Sequence, residues 1–86
     1  MPEISRFYGI IIKMFFNEHN PPHIHVVYGN YQELLDINTF AVISGKLPPR
    51  AFGLVTEWMM LHKNELLSFW EKAKNHETLG KIKPLK

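Results

Sequence analysis

The side chains best suited to chemistry are concentrated in one short segment, Glu18-His19-Asn20-Pro21-Pro22-His23-Ile24-His25. His23 and His25 are one residue apart, so in a strand both side chains leave the same face and can converge on one ion or one substrate group. His19 precedes them across two prolines that stiffen the chain. Imidazole suits Zn²⁺ and similar divalent ions, and three protein ligands with one open position are typical of catalytic zinc sites.

This segment predicts a divalent metal site, for zinc or a similar ion, with His19, His23 and His25 as ligands. Asp36, which the hairpin described below places opposite His23, is predicted as a further ligand or as a carboxylate that orients one. Glu18 is a supporting carboxylate nearby.

Two other interpretations use the same residues. Without a metal, His23 and His25 can act as general base and general acid in phosphodiester cleavage, with Arg50, Lys46 or Lys13 binding the phosphate. The catalytic set in that case is His23, His25 and Arg50. In the third interpretation the histidines are structural and hydrogen-bond a tight Pro-Pro turn. The sequence leaves open whether the protein is an enzyme.

The elements that must position these residues are strands in the first half of the chain and a helix in the second. Residues 7–16 are rich in β-branched and aromatic types and predict one strand, which the prolines of residues 17–22 end. A hairpin follows, with strands at 23–28 and 31–37 joined by Gly29-Asn30. A shorter strand at 40–44 comes after a turn at Asn38-Thr39.

A two-residue loop at Gly29-Asn30 fixes the register of the hairpin. His23 then pairs with Asp36, and His25 pairs with Leu34. One face is apolar apart from Glu33 and is predicted to cover the core, whereas His23, His25 and Asp36 lie on the other face.

Apolar residues then recur at three- and four-residue spacing and predict an amphipathic helix over 49–74, entered through Pro48-Pro49. A straight helix of that length would measure about 39 Å at 1.5 Å per residue. It therefore either overhangs the sheet and contacts a partner or breaks near Asn64, which could cap a second helix. Gly80 ends the helical region, and Lys81 to Leu85 is a tail or a short edge strand.

Length and the order of these elements predict one small α+β domain over residues 1–86, strand-rich at 4–45, helical at 48–76, with a basic tail at 77–86. Its sheet has three to four antiparallel strands covered by the long or broken helix. The 86 residues, 45% of them hydrophobic, allow one modest core. No cysteine is present, so thiolate chemistry is excluded. We expect a cytoplasmic protein with no membrane segment.

The chain resembles the family of small bacterial proteins catalogued as domain of unknown function 4160. The resemblance covers nearly the whole chain and rests on these segments: Ile4-Ser5-Arg6-Phe7-Tyr8-Gly9, His19-Asn20-Pro21-Pro22-His23-Ile24-His25, Tyr28-Gly29 with Asp36-Ile37, Gly45-Lys46-Leu47-Pro48, and Glu57-Trp58 with Leu61-His62. Family members often have a glycine in the turn after Asp36-Ile37, where this chain has Phe40. They also often carry a second basic residue before Arg50-Ala51, where this chain has Pro49.

The resemblance implies no established activity. It implies a gene context like that of toxin–antitoxin modules, and hence a cognate small partner protein encoded nearby, with nucleic acid as a target. We therefore keep two hypotheses. The first is an interaction module that binds this partner or forms a homo-oligomer through the helix. The second is a nuclease or phosphoesterase that uses the histidine segment.

Overall fold

The computed structural model describes residues 3–16 and 18–86. Met1, Pro2 and Asn17, the first residue of the predicted proline loop, lie outside the described residues. Five strands form one antiparallel sheet in the order of the chain: β1 (Glu3–Phe7), β2 (Ile10–Lys13), β3 (His23–Tyr28), β4 (Tyr31–Asp36) and β5 (Val42–Gly45). One helix, α1 (Pro49–Lys74), follows. The predicted α+β class is confirmed, with one strand more than expected.

The extra strand is β1, most of which precedes the segment predicted as a single strand over 7–16, and the turn of the β1–β2 hairpin lies inside that segment. Tyr8 and Gly9 both have positive φ, at 50° and 78°, as the tight two-residue turns between antiparallel strands require. Chain reversal there pairs Phe7 with Ile10 and Ser5 with Ile12. The prediction of one strand was wrong because Gly9 is a turn residue and the apolar alternation continues on both sides of it.

The β3–β4 hairpin has the predicted register. His23 pairs with Asp36, His25 with Leu34 and Tyr28 with Tyr31. The predicted core face is confirmed, since its apolar members at the centre of the hairpin are fully buried and join the core: Ile24, Val26, Leu35 and Ile37.

The helix bends at His62, where φ is −124° and ψ is 20°. A straight helix of this length would measure about 39 Å, but the longest dimension of the protein is 33 Å. The break therefore keeps both halves of α1 on the core and rules out the overhanging alternative. It lies two residues before the predicted Asn64. The His62 side chain bonds Glu65 at 2.7 Å, and Lys63 Nζ donates to the Asn38 carbonyl at 3.1 Å.

The two edges of the sheet differ. At the β1 edge, the Ile82 amide donates to the Ile4 carbonyl at 2.8 Å, and the Ile82 side chain is buried. The indole of Trp58 donates to the Lys83 carbonyl at 2.9 Å, so helix and tail are tied together. At the other edge, every residue of β5 is exposed. The tail therefore lies along the β1 edge of the sheet, although it forms no regular strand.

Two glycines with positive φ offer a matched test of close backbone packing. A Cβ on Gly45 (φ 79°) would lie 2.1 Å from the Gln32 carbonyl oxygen, whereas a Cβ on Gly29 (φ 56°) would have no neighbour within 4 Å. Gly29→Ala should cost about 1 kcal/mol, the strain of a left-handed residue with a Cβ. Gly45→Ala should cost at least about 2 kcal/mol more, because β4 and β5 must separate. Urea unfolding of both variants measures the difference, and equal costs would contradict this account.

Glu33 is the one charged residue on the core face, and it is only 3% exposed. Burial raises the pKa of its carboxyl, and a hydrogen bond from the Leu47 amide offsets this only in part. Its Oε1 has no partner among the described residues. The folded state therefore binds the Glu33 proton more tightly than the unfolded state does. The resulting contribution to the free energy of unfolding is fully present below the unfolded-state pKa of about 4.3. It is lost as pH rises through the folded-state pKa.

We predict that Glu33→Gln raises the free energy of unfolding relative to the wild type at pH 8 more than at pH 4, because Gln never has to ionise in the core. Denaturant unfolding at both pH values checks this. Glu77→Gln on the exposed tail controls for the change in net charge. A Glu33→Gln effect that is equal at both pH values would contradict the prediction.

Candidate functional site

The site is built from the start of β3 and the loop that precedes it. His23 and His25 lie on β3, and Glu18 lies in the loop. The ligand atoms of Glu18, His23 and His25 all lie within 4.8 Å of one another. Among the described residues, this is the only such cluster of histidines and carboxylates. The predicted convergence of His23 and His25 is confirmed, and the rings are 5.3 Å apart.

One oxygen of Glu18 serves both imidazoles. Its Oε1 lies 3.1 Å from Nε2 of His23 and 2.5 Å from Nε2 of His25. Burial raises the pKa of the Glu18 carboxyl, but the hydrogen bonds to His25 and His23, and then the charge of these rings, outweigh that effect, so the pKa is lowered overall. The carboxylate is therefore ionised at neutral pH.

The backbone fixes the tautomer of His23. Nδ1 lies 2.8 Å from the Pro21 carbonyl oxygen, and because a carbonyl can only accept, Nδ1 carries the proton and donates. In a neutral imidazole the lone pair is then on Nε2, which faces the ionised Glu18 oxygen. Two acceptors facing each other at 3.1 Å need a cation between them, either a second proton on His23 or a metal ion.

Aromatic residues hold both rings in place. The Trp70 ring, from the second half of α1, lies 5.1 Å from that of His23, which is only 7% exposed although it lies on the outer face of β3. The Phe15 ring meets His25 edge-on at 4.5 Å. His25 keeps 26% of its side chain exposed, and Glu18 keeps 30%. The cluster is therefore walled on the protein side and open to solvent at His25 and Glu18.

The structure does not bring the other predicted ligands into the cluster. His19 is exposed and contributes no atom to it. Asp36 pairs with His23 through the backbone as predicted, but its Oδ1 accepts from the amides of Asn38 at 2.7 Å and Thr39 at 3.0 Å. Asp36 therefore stabilises the turn after β4. It contributes no atom to the cluster, so the structure does not support the metal role predicted for it.

Arg50 is also remote from the histidines. It is exposed in the first turn of α1 and lines a cavity with Tyr8 and Tyr28. Tyr28 and His23 are the two ends of β3, which at about 3.3 Å per residue lie roughly 17 Å apart. The predicted catalytic combination of Arg50 with His23 and His25 is thus not supported by its position, because helix entry and histidine loop lie at opposite ends of the strand.

Lys13 is the cation nearest to the site by register, since it is the direct partner of His25 on β2. From the sequence, Lys13 is one of three phosphate-binding candidates and Glu18 is a supporting carboxylate. The sequence feature that could have indicated the role of Glu18 is its position before the two prolines, where the loop folds back along β3.

A family model described as a domain of unknown function (DUF4160) matches residues 9–71. The chain belongs to this family. The matched region includes the histidine segment, both hairpin strands of the site and most of α1, so the resemblance noted from the sequence is confirmed. Comparisons with curated proteins and with solved structures give no match. Within the described residues, no helix has the length and apolar character needed to cross a bilayer.

Proposed function

We propose that this DUF4160 protein binds a divalent transition-metal ion through Glu18, His23 and His25 and presents its open coordination positions to a substrate. The observation that carries the proposal is the pair of imidazole Nε2 atoms facing one ionised carboxylate oxygen, with the Pro21 carbonyl holding the His23 proton on Nδ1. Metal-bound histidines commonly donate their other ring N–H in this way.

The spacing of the donor atoms suits a metal. With bonds of about 2.0 to 2.2 Å and a tetrahedral arrangement, neighbouring ligand atoms on zinc lie roughly 3.3 to 3.5 Å apart. His23 Nε2 and Glu18 Oε1 are nearly at that separation, at 3.1 Å. The His25 contact at 2.5 Å must open by about 1 Å. Glu18 is on a loop and partly exposed, so a small rotation of its side chain is enough.

The ligand set also indicates what the metal would do. Two histidines and one carboxylate occur at hydrolytic zinc sites and at mononuclear iron sites, and both keep coordination positions for water or substrate. This favours the metal-dependent form of the enzyme hypothesis over metal-free acid–base catalysis. In the metal-free form one imidazole must be available as a base. His23 is engaged at both ring nitrogens, by Pro21 and Glu18, which leaves only the second ring nitrogen of His25 for that role.

The test is Co²⁺ binding to the untagged protein, followed by the visible absorption of bound Co²⁺ and by competition with Zn²⁺. His25→Gln and Glu18→Gln should each weaken binding by more than the roughly 10- to 100-fold that loss of an outer hydrogen-bond partner costs. Both side chains are partly exposed, so these variants should remain folded, which circular dichroism checks.

His19→Gln is the matched control, because His19 lies beside Glu18 in the same loop but is exposed and contributes no atom to the cluster. It should bind Co²⁺ like the wild type. Failure of the wild-type protein to bind Co²⁺ or Zn²⁺, or equal loss in His19→Gln, would overturn the proposal.

We also propose association with a small partner protein, encoded nearby in a toxin–antitoxin-like arrangement, or with a second copy. One observation favours it: Met60 and Leu61 are adjacent on α1 and are 70% and 66% exposed. Leu61 also lines a groove formed with the tail residues Pro84 and Leu85. The aromatic face of the helix, by contrast, is in the core, with Trp58 0% and Trp70 3% exposed, so an interface through those aromatic residues is ruled out.

Light scattering of the protein, alone and with the product of the neighbouring gene, tests this second function. Replacing Met60 and Leu61 by lysine should abolish association because charges would be desolvated in the interface. Glu71→Lys, an exposed charge change farther along α1, should leave association intact. A protein that stays monomeric and indifferent to that partner would contradict the proposal.

A further inference from the structure

A second polar feature lies beside the histidine cluster, on the same face of the sheet. Lys13 and His25 are direct partners across β2 and β3, so their side chains project from one face with Cβ atoms about 5 Å apart. Both line a cavity whose other walls include Phe15, Gln32 and Leu34. His25 is therefore shared: its Nε2 faces Glu18, and its side chain borders this cavity.

The ammonium group of Lys13 is not engaged in the ion pairs of the sheet. Its neighbour on the other side is Glu3 on β1, but the Glu3 carboxylate is held by Arg6 at 2.8 Å and approached by Lys81 at 3.9 Å. Lys13 takes part in none of the ion pairs that the described residues form. The hydrogen bond from Arg6 is the main cause of the lowered pKa of the Glu3 carboxyl, and the charge of Lys13 is only a minor one. Lys13 lines a cavity that Gln32 also lines.

Size and charge define the ligand. The cavity is partly open to solvent and has a volume of about 100 Å³, room for roughly three waters at about 30 Å³ each, which is enough to admit a tetrahedral oxyanion. With a divalent ion on Glu18, His23 and His25, the local charge would be positive, since the Glu18 carboxylate offsets only part of the metal and Lys13 charges. Glu33 also lines the cavity, but it is only 3% exposed and its side chain lies on the core face. Such a site attracts an anion.

We propose that Lys13 and Gln32 bind the phosphate group of a phosphate ester, with one phosphate oxygen occupying an open position on the metal. The inference rests on the proposed metal site and names its substrate class. It selects Lys13 among the three basic residues considered from the sequence. Lys46 is a backbone neighbour of Gln32 but does not line the cavity, and Arg50 lies at the far end of β3.

The experiment titrates inorganic phosphate, and separately dimethyl phosphate as a diester, into the Co²⁺-loaded full-length protein and follows the Co²⁺ absorption. Both should change the spectrum. Lys13→Ala should weaken phosphate binding roughly 10- to 150-fold, the range for a hydrogen bond to a charged group, while the affinity for Co²⁺ stays within about twofold of the wild type. Lys13→Arg should restore most of the loss, and the control Lys46→Ala should behave as the wild type.

Separate outcomes bear on the two proposals. If Co²⁺ does not bind, the metal site itself is overturned. If Co²⁺ binds but phosphate leaves its spectrum unchanged, or binds equally well to Lys13→Ala, the metal site stands and the phosphate site is overturned. A response to inorganic phosphate without one to dimethyl phosphate would overturn the assignment for diesters and retain it for monoesters.

Discussion

The alternation of side chains in the β3–β4 hairpin is the constraint on which the rest of the structure depends. Gly29-Asn30 sets the register, and the period of two then assigns Ile24 and Val26 to the core and His23 and His25 to the opposite face. A slip of one residue would exchange these sets. It would bury two imidazoles under the helix and expose the apolar residues, so the core and the candidate site are specified together.

The site also depends on elements distant in sequence. The Pro21 carbonyl orients His23, Phe15 supports His25, and Trp70 reaches the cluster from the second half of α1. The bend at His62 keeps that half of the helix on the core. Bend and site are thus connected: a helix that ran straight from Pro49 would not keep its second half against the sheet.

Much of this could be predicted from local rules. The hairpin register, the buried face and the shared side of His23 and His25 all follow from a two-residue loop and strict alternation. The wrong predictions concern residues whose type fits two structural roles. Gly9 continued an apolar run but makes a turn, and Asp36 lay opposite His23 but bonds its own turn. Phe40 has a φ of 65°, in the left-handed region that glycine adopts most easily.

The role of Glu18 and the position of the bend depended on contacts that a sequence pattern does not encode. Glu18 reaches both imidazoles only because the loop folds back onto β3. The bend lies at His62 rather than Asn64 because the side-chain bonds of His62 and Lys63 fall there. Both are decided by three-dimensional packing, where propensity is a weak guide.

The unequal edges of the sheet bear on how copies of the chain can associate. Because the tail already bonds the carbonyls of Glu3 and Ile4 on β1, addition of a strand from another molecule is favoured beside β5. A sheet that accepts a new strand at one edge cannot extend in both directions. Two chains joined through their β5 strands would have tail-covered β1 strands at both outer ends, so assembly by this route would stop at a pair and would not grow into a fibre.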